Sequence, residues 1–129
     1  FLKGQEIVKV LYMNTDYQYL KGIENDLKEI TSDLDVSYSS NRYIEFNHQG
    51  VNKGQGLKKL AELLNVDIKD TIAIGDNFND LSMIKVADLG VGVQNTVEEM
   101  KKECDIITKA TNNQGAIAEV INKHILGTN

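Results

Sequence analysis

Apolar residues along this chain change period near residue 47, and the two regimes predict two kinds of structure. In the first regime, Glu6 to Met13 sets Val8, Val10 and Tyr12 on one side and Ile7 and Leu11 on the other, which predicts a strand buried on both faces or nearly so. Thr15-Asp16 can then cap a helix, with Tyr17, Leu20, Ile23, Leu27 and Ile30 forming a stripe at three- and four-residue steps down to Thr31. Gly22 within that stripe costs about 1 kcal/mol relative to alanine. From Leu34 the period is two: Leu34, Val36 and Tyr38 alternate with Asp35, Ser37 and Ser39. A polar turn at Ser40-Asn41 leads into Tyr43 to Phe46, predicting a β-hairpin. Strand, helix and hairpin in this order predict a small α+β layer with its own core.

After Asn47, strands alternate with helices. Gly50, Gly54 and Gly56 bracket Lys53, and Leu57, Leu60, Ala61 and Leu64 follow at helical spacing as far as Asn65. A strand over 71–75 comes next, then a helix through Leu81, Ile84 and Val86 and a strand from Leu89 to Val93. Asn95 or Thr96 can cap the next helix, and Asn95 with Glu98 three residues on fits a capping box. A strand from Asp105 to Thr108 leads to a last helix with Ile117, Val120, Ile121 and Ile125 on one side, stopping at Gly127. Helices of this size between strands predict a parallel sheet. The chain contains no internal repeat, low-complexity segment or flexible linker.

With 129 residues, 41% hydrophobic and 26% charged, the composition is that of one ordinary soluble domain or two small pieces. No stretch approaches the roughly 18 apolar residues of a membrane span, and no basic-then-apolar leader is present. A chain starting at Phe1 reads as a fragment. The net charge of −5 argues against a nucleic-acid surface, which needs clustered Lys and Arg. One cysteine, Cys104, cannot form an internal disulfide and fits a reducing cytoplasm. The expected setting is therefore cytoplasmic, with neither nucleic acid nor membrane as partner.

Chemistry concentrates at Thr71-Ile72-Ala73-Ile74-Gly75-Asp76-Asn77-Phe78-Asn79-Asp80, where an apolar β-branched run ends in glycine and carboxylate. Open α/β sheets keep their ligands at that end of the strands. Asp76 at the strand tip and Asp80 in the first turn of the next helix can converge on one hard cation. Magnesium suits such a site, since it takes one or two carboxylates and leaves its other positions to water and phosphate. Both acids are also favoured near helix N-termini for their own sake, so the pattern alone leaves a turn acid and a helix-start acid open. A calcium EF-hand is excluded, because Phe78 stands where an oxygen ligand is needed and Leu81 where glycine is needed. Asn79 can be a helix cap. Lys53, read alone, is as compatible with a solvated loop as with a site. His48 and His124 lack metal-ligand spacing to each other or to Cys104. Gly90 and Gly92 form no dinucleotide fingerprint, since Asn95 occupies the third glycine position, and Gly50 to Lys53 is no Walker loop.

The Gly-Asp-x-x-Asn-Asp run over 75–80 resembles the last motif of the haloacid-dehalogenase-like phosphatases, specifically their Cof-type sugar-phosphatase branch. Upstream, Val51-Asn52-Lys53-Gly54 and its helix resemble the family's lysine motif. Downstream, Gly90-Val91-Gly92-Val93-Gln94-Asn95, Asp105-Ile106-Ile107-Thr108 and Asn113-Gln114-Gly115 resemble the branch's closing elements in their usual order. The resemblance spans Glu45 to the C-terminus and is weak before that. It implies an α/β fold: residues 47–129 as the carboxyl half of a Rossmann-like catalytic core, and residues 1–46 as the end of an inserted α+β cap. It implies Asp76 and Asp80 as metal ligands for Mg2+, Lys53 as a catalytic and phosphate-binding cation, and Asn79 as a contact to the transferred phosphoryl group.

The family's nucleophile stands in Asp-x-Asp at the end of an apolar strand. Asp33-Leu34-Asp35 imitates it, but Thr31-Ser32 precedes in place of a strand and Val36 follows in place of glycine-threonine. Leu11 to Thr15 imitates the second motif, an apolar strand ending in Ser or Thr, yet it stands before Asp33, whereas in the family the second motif follows the first. Both motifs are therefore read as missing from this chain. The resemblance then implies a parent that hydrolyses a small phosphorylated metabolite, a sugar phosphate, through an aspartyl-phosphate. The chain alone should be inactive, and should self-associate or recruit its other partner, the missing N-terminal half of the same fold. A non-catalytic metal-binding or dimerisation module is the alternative. A phosphoacceptor signalling domain would need an aspartate on a strand tip well before the lysine, and none is present.

Overall fold

Two separate three-stranded sheets organise the chain. The computed structural model describes residues 7–128; Glu6, where the first predicted strand begins, lies outside them. The residues divide into two compact units between Asn52 and Lys53. The sequence-based division at 46/47 falls inside a strand that runs to His48.

The first unit comprises β1 (Lys9–Met13), α1 (Tyr17–Leu27), β2 (Leu34–Ser39) and β3 (Tyr43–His48), with the antiparallel order β1-β3-β2. Asp16 caps α1, its Oδ1 accepting from the Gln18 and Tyr19 amides at 2.9 and 3.1 Å. The predicted hairpin is present, with Val36 opposite Phe46. Its loop, residues 40–42, is closed by the Arg42 amide donating to the Ser39 carbonyl at 3.1 Å, and Ser40 and Asn41 both take the left-handed backbone at φ of 52°. Leu20, Ile44 and Phe46 are its buried core, with Tyr17, Leu27 and Val36 among the residues packed against them. Glu24 ties α1 to β2 by accepting from the Tyr38 hydroxyl at 2.6 Å. Burial pushes the Glu24 carboxyl up, but the Tyr38 hydroxyl and the Lys21 ammonium more than offset this and leave it below its ordinary value.

Two expectations fail in this unit. β1 was expected to be buried on both faces, yet all five of its residues are exposed. It pairs only with β3, and α1 buries Leu20 against β2 and β3, leaving β1 uncovered among the described residues. Ile30 is 75% exposed: α1 ends at Leu27, and the Lys28 and Ile30 amides turn to the carbonyls three residues back, Asn25 and Leu27, a tighter winding that departs from the α-helical phase.

The second unit runs α2 (Lys53–Leu64), β4 (Ile72–Gly75), α3 (Leu81–Ile84), β5 (Leu89–Gly92), α4 (Glu98–Lys101), β6 (Ile106–Ile107) and α5 (Ala116–Val120), the last continuing as a π-helical turn over Ile121–Ile125. The expected parallel sheet is present, in the order β4-β5-β6 with Ala73 opposite Gly90. Ala73, Ile84 and Met100 form its buried cluster. Among the described residues no helix is long and apolar enough to cross a membrane.

Helix faces are narrower than the sequence pattern suggests. Ala61 is buried and Leu57 packs against the core, while Leu60 and Leu64 are exposed. In α5 the buried line runs through Ala116 and Val120, one turn apart, and Ile117 stands beside it, exposed; beyond Val120 the wider π turn alters the angular phase and leaves Ile121 and Ile125 uncovered. The capping box at Asn95 does not form: α4 begins at Glu98 without a side-chain cap. Asn95 Oδ1 instead accepts from the Asn112 amide at 3.0 Å, and Thr96 turns inward.

Candidate functional site

β4 ends at Gly75, and the next five residues fold back on it. Asn77 has an extended backbone and accepts through its side chain from the Phe78 amide at 2.8 Å, starting a 3-10 turn over Phe78–Asp80. Asp80 closes the loop. Its Oδ2 accepts from the Asp76 amide at 3.0 Å and the Asn77 amide at 3.4 Å, so Asn77 and Asp80 cap the turn reciprocally. The side chain lies over Gly75 so closely that a Cβ there would stand 2.4 Å from the Asp80 Cβ. Glycine is thus required by the fold-back itself.

Lys53 enters from α2. Gly54 is buried against α3, its amide donating to Ser82 Oγ at 3.0 Å, and a Cβ on it would meet the Ser82 carbonyl oxygen at 2.4 Å. That close approach brings the preceding residue to the strand end, where the Lys53 ammonium donates to Asp80 Oδ1. The carboxylate of Asp80, in a residue only 5% exposed, therefore accepts from one ammonium and two amides. The Asp76 carboxylate, half-buried beside it, has no hydrogen bond or ion pair among the described residues.

Lys53, Asp76 and Asp80 line a depression of about 330 Å³, together with Asn112 and apolar side chains that include Ile74 and Met83. Three of the four residues singled out from the sequence are thus brought together. Asn79 is half-buried in the 3-10 turn and does not line the depression; the cap is Asn77, two residues earlier than the sequence reading placed it. Asn112, Asn77 and Thr96 were missed. An Asn-x-x-Asp box starting at residue 77 could have flagged the cap, but nothing in the spacing links Asn112 to Asp76. Within the second unit His124 and Cys104 do not line the depression, and no group of three or more His, Cys, Asp or Glu able to hold a metal occurs among the described residues. Burial, followed by the neighbouring Asp105 and Glu103 carboxylates, pushes the Cys104 thiol up and makes it a poor ligand.

This donor set suits a hard cation that keeps water in most of its positions. Asp76 offers an open carboxylate oxygen at a strand end, as magnesium accepts, whereas a caged zinc or calcium would need more protein ligands. The arrangement can hold a cation next to an ammonium, and both would act on a phosphate.

A parallel α/β unit with acids at a strand's carboxyl end and a lysine delivered from a helix defines the class. The sequence pattern of the haloacid dehalogenase-like hydrolases matches residues 1–121, and the chain belongs to that family. It is 32% identical over 124 residues to a 5-amino-6-(5-phospho-D-ribitylamino)uracil phosphatase of Bacillus subtilis (YwtE), covering 96% of this chain and 43% of that protein. It is 37% identical over 98 residues to a phosphatase of the same organism (YwpJ), covering 76% of this chain and 34% of that one. Among solved structures, a haloacid dehalogenase-like hydrolase from Bacteroides thetaiotaomicron superposes with a TM-score of 0.74 at 35% identity, over 92% of this chain and 44% of that chain. One from B. subtilis does so with a TM-score of 0.80 at 29% identity, over 95% and 43%. The chain thus spans less than half the length of each of these proteins.

Proposed function

We propose that this chain forms the cation-binding and charge-compensating half of a magnesium-dependent phosphatase acting on a small phosphorylated metabolite, a sugar phosphate. The observation that carries the reading is the open Asp76 carboxylate at the end of β4, next to an Asp80 already occupied by Lys53. The phosphatase relatives support it. Magnesium, when bound, supplies positive charge against a phosphate dianion. Asp76 is its direct ligand. Asp80 completes the acidic pair through whatever coordination its bonds to Lys53 and the loop amides leave. Lys53 has three donors and can hold Asp80 while offering a proton to a phosphate oxygen. Asn79 is assigned to the phosphoryl group.

The nucleophile of this reading is an aspartate outside this sequence, which attacks phosphorus to give an aspartyl-phosphate that water then hydrolyses. Asp33 and Asp35 do not serve. Asp33 lies in a turn and Asp35 Oδ2 accepts from the Gly50 amide at 2.9 Å, a bond that ties β2 to the loop after β3. The test has two arms. The purified chain with magnesium should not hydrolyse p-nitrophenyl phosphate; turnover abolished by Asp33→Asn would place the nucleophile here after all. In a protein completed upstream by an apolar strand ending in Asp-x-Asp-Gly-Thr, Asp76→Asn should raise the magnesium requirement steeply and cut turnover. Asp80→Asn should act in the same direction. Unchanged magnesium titrations in both variants would remove the metal assignment and favour the alternative, a non-catalytic dimerisation module, for which the uncovered β1 speaks.

A further inference from the structure

The backbone on both sides of Asp76 is held from a segment the reaction itself does not use. Beyond the last residue of β4, the chain between β5 and α4 folds across the strand end. The Val93 amide donates to the Gly75 carbonyl at 3.2 Å, and the Val97 amide donates to the Asp76 carbonyl at 3.1 Å. Between them, Thr96 turns inward, only 3% exposed, and its hydroxyl donates to the same Gly75 carbonyl at 3.1 Å. The Thr96 amide donates to the Val93 carbonyl at 2.9 Å, a tight turn that fixes where this hydroxyl points. A Cβ on Gly92 would come within 3.1 Å of Thr96 Oγ1, so the side chain is also closely confined by β5.

We propose that Thr96 is a positioning residue: its buried hydroxyl, held on the Gly75 carbonyl, fixes the peptide that aims the Asp76 carboxylate at a divalent cation. The Asp76 side chain makes no bond of its own to set its direction. Its orientation therefore follows from its backbone, whose amide Asp80 holds and whose preceding carbonyl Thr96 holds. Partners one bond removed from a metal ligand set its direction in this way, and their loss weakens the metal without removing a ligand.

The inference rests on the reading of Asp76 as the cation's ligand, and the experiment separates the two. Thr96→Val keeps shape and removes the hydroxyl; Thr96→Ser keeps the hydroxyl and removes the methyl. Each is compared with the unsubstituted chain by nitrogen–carbon three-bond couplings that report the Asp76 side-chain torsion without metal, and by the amide shifts of Asp76 and Asn77 as magnesium chloride is added. The expected result is one fixed Asp76 rotamer in the unsubstituted chain and in Thr96→Ser, and an averaged one in Thr96→Val. Magnesium affinity should fall about tenfold in Thr96→Val and stay nearly unchanged in Thr96→Ser. An Asp76 torsion and a magnesium affinity both unaltered by Thr96→Val would overturn the proposal, as would equal losses in Val and Ser. Should the unsubstituted chain give no magnesium response, the metal reading fails, and the metal-free torsion alone still decides whether Thr96 positions Asp76.

Discussion

Asp76 and Asp80 carry the same carboxylate four residues apart, and the fold gives them opposite tasks. Asp80 is tied to Lys53 and to two amides of the loop, whereas Asp76 is left open. Stability and cation binding should therefore separate between them. Asp80→Ala orphans two loop amides and removes one half of a reciprocal cap, which costs about 1–3 kcal/mol. Asp76→Ala removes no contact and should stay within about 0.5 kcal/mol. Urea unfolding of the two variants checks this, and equal midpoints would show that the Asp80 bonds do not hold the loop. Both acids were singled out in the sequence through the resemblance of the 75–80 run and its flanking motifs to a known family, since the pattern alone left a turn acid and a helix-start acid open. Their division of labour was not legible there, because it depends on which way each side chain turns once Gly75 lets Asp80 fold over it.

The elements that place the site are short, and their contacts are set by glycines. α2 shows this within a single turn. Gly54 is buried, with a Cβ position 2.4 Å from the Ser82 carbonyl oxygen of α3, while Gly56 in the same helix has nothing within 4 Å of its Cβ position. Gly54→Ala gains helix propensity of up to about 1 kcal/mol but must push α2 off α3. The net expectation is a loss of about 1–3 kcal/mol. Gly56→Ala should gain about 0.4–1 kcal/mol by restricting the unfolded chain. Thermal melting of the two variants gives opposite shifts if the α2–α3 approach sets the position of Lys53; the same sign in both would show the approach to be loose. Periodicity announced α2 but not which of its glycines matters, because a glycine in a helical pattern looks the same whether it faces solvent or another backbone.

Each sheet, taken by itself, ends in a strand with one edge unpaired among the described residues. β1 pairs only with β3, and Val10, Leu11 and Met13 are each at least half exposed. β4 pairs only with β5, and the site's depression opens beside its carboxyl end. Unpaired strand edges next to exposed apolar side chains template association. The isolated chain should therefore sediment above monomer mass at micromolar concentration and bind a hydrophobic dye. Lysine substitution at Leu11 should shift it toward monomer if the β1 edge is responsible. A monodisperse monomer that binds no dye would count against open edges. Among the described residues no strand before Asn47 pairs with the parallel sheet, since β1, β2 and β3 form a sheet of their own.

The sequence alone determined the order and type of nearly every element, the hairpin and the parallel sheet, and its resemblance to a known family marked the two acids and the lysine. The elements rest on local pattern: period two or 3.6 and turn residues at fixed offsets. Tertiary structure alone decided which apolar faces are covered, so that the alternation in β1 and the isoleucines after Ala116 remain exposed although their pattern is that of a core. It also decided that Asn95 reaches Asn112 across the loops and that Thr96 holds the strand end under Asp76. The physical reason is common to all of these. A side chain's period says which way it can face along its own element, but its partner is chosen by residues 15 or more positions away, whose approach is fixed by how closely backbones can pack.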